Sequence, residues 1–115
     1  MLDSPFLGVV MRLEGTLFYE THSLTENYEV EVAFDHKTNT CTLDLKNRED
    51  EDDTYKFKGE FNSSFIKLKS NGDGCNYNLH LFKSDEDYVY YGFWKDLDPV
   101  NKGDHSFVKL ELDTP

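Results

Sequence analysis

Four histidines, His22, His36, His80 and His105, are the side chains of this sequence best suited to hold a metal or carry a proton at neutral pH. Zinc sites usually draw a pair of ligands from one short motif, and the chain contains no H-x-H, H-E-x-x-H or C-x-x-C. Asp104-His105-Ser106 has the residue types of a hydrolytic triad, but adjacent strand residues point to opposite faces, whereas a triad converges in space. Oxygen ligands collect at Asp96, Asp98, Asn101 and Asp104 and again at Asn71 and Asp73. Neither group has the EF-hand order of ligands at positions 1, 3 and 5, Gly at 6 and Glu at 12, and both read as solvated turns. With 23 Asp and Glu residues, some carboxylates must be neighbours, so such pairs carry no information about acid–base chemistry. The expectation is a protein with no metal, no cofactor and no catalytic residue.

The elements that position these residues begin with the charge. Twelve Lys and Arg against 23 Asp and Glu leave a net charge of −11 over 115 residues. That balance argues against direct binding of nucleic-acid phosphates or of an anionic membrane surface. Hydrophobic residues make up 37%, which is modest, but 15% are aromatic, enough to build a core that a disordered acidic chain would lack. One domain spanning residues 1–115 is expected from the length. Met1 to Phe6 has no basic region and Arg12 interrupts the following apolar run, so no signal peptide is expected. No segment reaches the roughly 18 apolar residues of a membrane-spanning helix, and the chain reads as cytoplasmic. Cys41 and Cys75 then read as free thiols.

Period-two alternation, broken by polar turns, runs along the whole chain. Strands are expected at Gly8–Tyr19, Tyr28–Phe34, Cys41–Lys46, Tyr55–Phe61, Phe65–Lys69, Tyr77–Lys83, Tyr88–Lys95 and Ser106–Leu112. Closing about eight such strands into a barrel removes the exposed sheet edges, so the expected fold is all-β, a single antiparallel domain forming a small up-and-down barrel. A two-sheet β-sandwich is the second arrangement the pattern allows. The architecture is similar to that of the calycins, the avidin and lipocalin class, and Gly92-Phe93-Trp94 resembles the G-x-W of lipocalins. In that family the motif lies in the first strand and here it lies in the seventh, so no functional residue is carried over.

Three groups of candidate site residues follow from strand register. A two-residue turn at Asn62-Ser63 sets Lys58 opposite Lys67 and Lys56 opposite Lys69, with Lys46 on the next strand. Like charges so placed repel, which marks Lys46, Lys56, Lys58, Lys67 and Lys69 as a candidate anion site unless Asp44, Glu60 and the acidic loop neutralise them. A four-residue turn at Ser84–Asp87 sets Tyr77 opposite Trp94, leaving Phe82, Val89, Tyr91 and Phe93 on the outer face around His80. A strand apolar on both faces is expected to meet a partner, a second copy in a homodimer, or another segment of its own chain. Inside the barrel, Tyr28, Tyr55, Tyr77, Tyr90 and Trp94 would converge, either as a filled core or around a small apolar or aromatic ligand.

Two functions are carried forward. The first is a non-enzymatic acidic interaction module, of inhibitor, adaptor or immunity type, that engages a basic protein. It would use Phe82, Val89, Tyr91 and Phe93 as anchors and the loop Glu49, Asp50, Glu51, Asp52 and Asp53 for steering. The alternative is a small-molecule-binding barrel with its ligand among the inner tyrosines and Trp94.

Overall fold

The computed structural model describes residues 10–20, 25–70, 76–97 and 105–114. Eight strands form in chain order: β1 (Val10–Glu20), β2 (Thr25–Asp35), β3 (Thr40–Asn47), β4 (Thr54–Phe61), β5 (Phe65–Ser70), β6 (Tyr77–Lys83), β7 (Val89–Asp96) and β8 (His105–Leu112). Each pairs antiparallel with the next, and β8 returns to β1, so the sheet is a closed up-and-down barrel and not a sandwich. Closure depends on the length of β1. All of it pairs with β2, while its second half, Gly15–Glu20, also pairs with Leu112–Phe107 of β8.

Alternation decides which side chains meet inside. Leu17, Val32, Leu43, Phe57, Ile66, Leu79, Leu81 and Leu110 are fully buried, and Cys41 lies among them. The opposite faces of β2 to β4 carry Glu29, Glu31, Asp44, Lys46, Lys56 and Lys58. An apolar interior with this charged exterior is the reverse of the apolar-out, polar-in pattern of transmembrane barrels. No helix among the described residues is long and apolar enough to cross a membrane.

Two hairpins differ from the sequence expectation, both by two residues. At β4–β5 the turn is Ser63-Ser64, because the Asn62 N–H donates to the Phe65 carbonyl, while the Asn62 Oδ1 accepts from the amides of Ser64 and Phe65. Lys58 therefore faces Lys69, and Lys67 faces Glu60. At β6–β7, Ser84 bonds Val89 across the neck of the loop, and Tyr88 takes a φ of 65° to close it. Leu79 then faces Trp94, and Tyr77 faces Asp96. In both places a turn-forming residue extends the ladder. A shift of two keeps every side chain on its expected face.

Up-and-down order places the β3–β4 loop, residues 48–53, at one end of the barrel. The turns at 36–39, 62–64 and 84–88 lie at the other. His22, Asn71, Asp73, Cys75, Asp98, Asn101 and Asp104 lie outside the described residues.

Candidate interaction face

The outer face of β5 to β8 is aromatic. Phe65, Phe82 and Tyr91 stand abreast on β5, β6 and β7; Lys109 follows on β8 and Phe18 on β1. One step along, Lys67, His80, Phe93 and Phe107 form a second row, and Lys69, Asn78 and Lys95 begin a third. The outer face of an antiparallel sheet is normally polar, yet here Phe82 is 47% exposed, Tyr91 51%, Phe93 38% and Phe107 68%. Contiguous exposed aromatics of this kind mark interaction sites.

The lysines belong to the same surface. Lys67 lies with its Nζ 4.6 Å from the Phe65 ring centre, and Lys109 lies 5.8 Å from Tyr91 and 5.9 Å from Phe18, distances at which ring faces attract cations. Lys109 also pairs with Glu111 at 3.0 Å. Burial among these neighbours, then the charges of Lys67 and Lys95, push the His80 imidazole below its ordinary value. Its neutral form is the favoured one, and the charge of the face comes from lysine.

The sequence-derived residues divide among three places. Phe82, Tyr91 and Phe93 are on this face, as expected. Val89 points the same way but is only 9% exposed, at the hairpin neck where Ser84 and Glu86 bond its backbone. Glu49, Asp50, Glu51 and Asp52 are exposed at one barrel end, whereas Asp85, Glu86 and Asp87 lie at the opposite end. The acidic run 49–52 thus lies at the far end of the strands from the β6–β7 turn, whereas that turn adjoins the aromatic face, where Glu86 acts on Lys109. Asp53 turns inward, accepting hydrogen bonds from the Tyr28 hydroxyl at 3.1 Å and the Asn47 amide at 3.0 Å.

The five-lysine ridge also divides. Lys56 pairs with Asp44 at 3.7 Å, one of the carboxylates expected to neutralise the ridge, and Lys46 pairs with Glu29 at 3.8 Å, a β2 carboxylate, and not with the acidic loop. Lys67 and Lys69 belong to the aromatic face, and Lys58 stands opposite Lys69 at its edge.

Four of the five inner aromatics meet. Trp94 packs against Tyr28, Tyr55 and Tyr77 at centroid distances of 6.2, 4.9 and 5.4 Å, and also against Tyr19 and Phe57. Its neighbours take edge-on and tilted geometries, and Trp94 keeps 6% of its surface exposed. The Tyr28 hydroxyl shares its single proton between Glu26, at 2.9 Å, and Asp53, and burial together with these two carboxylates holds that proton far more tightly than usual. Tyr90 faces inward but apart from this cluster, near Cys41 and Tyr88.

Phe18, Phe65, Phe107, Lys95 and Lys109 complete the face and were not singled out from sequence. Their signal was present: Val108, Leu110 and Leu112 point inward, so Phe107 and Lys109 must point out. An open groove of about 670 Å³ on the outside of β1 to β4 was also not foreseen. Its floor carries Glu14, Glu31 and Asp44 side by side across three strands.

No known protein family, curated protein or solved structure matches the chain. The resemblance to calycins therefore rests on architecture alone, a closed barrel of eight antiparallel strands.

Proposed function

We propose that this barrel is a non-enzymatic interaction module that docks a partner protein on the outer aromatic face of β5 to β8. The observation that carries the reading is the row Phe65–Phe82–Tyr91 beside Phe93–Phe107, on strands whose other face already fills the core. Rings held on a closed sheet lose little conformational freedom on binding, and each buries roughly 150–250 Å². A few of them cover much of the roughly 800 Å² that one partner contributes to a standard interface. The close ring packing around Trp94 favours a filled interior over the alternative of a small-ligand cavity.

Photo-crosslinking tests this. Phe107→p-benzoylphenylalanine, irradiated in lysate of the native cell, is expected to join one discrete protein. The same probe replacing Glu31, on the other side of the barrel, is expected to leave that protein unjoined. Equal products from both positions, or none from position 107, would overturn the reading.

A further inference from the structure

We propose that the surface which docks on this face is acidic, so that the charge recognised there is opposite to the one the whole chain suggests. The inference rests on the docking reading above. A net charge of −11 points to a basic partner, but the charges beside the rings have the other sign. Lys67, Lys69, Lys95 and Lys109 occupy outward positions of β5, β7 and β8. Of the carboxylates near them, Glu111 is paired with Lys109, Glu86 at the β6–β7 turn also acts on Lys109, and Glu60 faces Lys67 at the edge, which leaves Lys69 and Lys95 without a carboxylate opposite.

Desolvation makes these lysines decisive. The ammonium groups of Lys67 and Lys109 lie over Phe65, Tyr91 and Phe18, on the rings a partner would cover. Apolar anchors seated on those rings take water from the ammonium groups, and a buried ammonium without an opposite charge is strongly unfavourable. A partner that fits therefore brings carboxylates beside its apolar anchors. A basic partner would bury like charges against Lys67 and Lys95. Range separates the two effects: at about 0.1 M salt the Debye length is about 10 Å. The acidic loop at 48–53, at the other end of the barrel from the β6–β7 turn, is then screened, while contacts inside the interface are not. Phosphates would satisfy the same lysines, but the net charge opposes a polyanion that extends past the face.

Three probes of matched length decide it, each titrated into the labelled full chain and followed by amide NMR: a peptide of Glu, Asp, Leu and Phe; the same peptide with Lys replacing each acid; and an oligothymidylate. The acidic peptide is expected to shift amides of β5 to β8. Its affinity should fall at least tenfold in Lys67→Glu/Lys95→Glu, which should take up the lysine peptide instead. Lys67→Gln/Lys95→Gln, which adds no new charge, should show an intermediate loss and serves if the reversed pair does not fold. Preference of the wild-type face for the lysine peptide or the oligothymidylate overturns the proposal. So does an acidic-peptide affinity that both lysine variants leave unchanged, or failure of all three probes to bind. In each of those cases a crosslink from position 107 would leave the docking reading standing.

Discussion

Phe93 on β7 and Phe107 on β8 are directly opposed on the outside of the barrel, their ring centroids 5.1 Å apart. An aromatic pair is worth about 0.5–1.5 kcal/mol beyond its burial, but Phe107 stays 68% exposed whereas Phe57, inside, is 1% exposed. The fold draws its stability from the inner rings. The outer pair lies on the closed sheet with its rings facing away from that core.

Gly92, on the inner side of the same strand, is expected to tolerate no side chain. A Cβ there would run into the His80 carbonyl oxygen on β6. Backbone cannot yield as a flexible side chain can, so Gly92→Ala is expected to destabilise the barrel by about 3 kcal/mol or more. Urea unfolding measures it, and a loss below about 0.5 kcal/mol, the range of an ordinary surface substitution, would show that the strands are not in such close approach.

The Cys41 thiol should be inert in the folded protein. Burial pushes it up to about 12, leaving very little thiolate at pH 8. Iodoacetamide labelling of the Cys41 peptide, read by mass spectrometry, is expected only as denaturant opens the barrel. Prompt labelling of the native chain would contradict the placement of Cys41 in the core.

His80 gives stability a pH dependence of known sign. The unfolded chain binds its proton near pH 6.5, while burial and the lysines on both sides hold the folded imidazole neutral to lower pH. The unfolded state thus binds more protons in that window, and stability falls as pH drops through about 6.5 toward the folded value. His80→Gln should lose less stability than wild type between pH 7.5 and 5.5, since the carboxylates are common to both. Equal losses would mean that the face does not act on His80.

Strand identity and side-chain facing were legible because period-two alternation survives any even slip in register. Phe82, Tyr91 and Phe93 keep their outward assignment because the β6–β7 register differs from the expected one by two residues and not by one. The turns themselves were not legible: Asn62 and Ser84 are turn-forming types, and only the completed ladder shows that they pair across it. Asp53 looked like one more acid in a run. Its contact with Tyr28 spans 25 residues and depends on β2 lying beside β3. The same holds for Lys46, whose carboxylate partner Glu29 comes from the neighbouring strand β2. Net charge was the least informative feature, since it gave no sign that lysine gathers around the aromatic face.

The central claim, that the outer rings serve binding and not folding, is tested most directly by Phe82→Ser/Tyr91→Ser in the chain carrying p-benzoylphenylalanine at position 107. Two surface substitutions should change stability by no more than about 1 kcal/mol, a melting shift of roughly 4–8 °C at most. The crosslinked partner should disappear. A melting point lowered by more than about 10 °C, or a crosslink of undiminished yield, would contradict it.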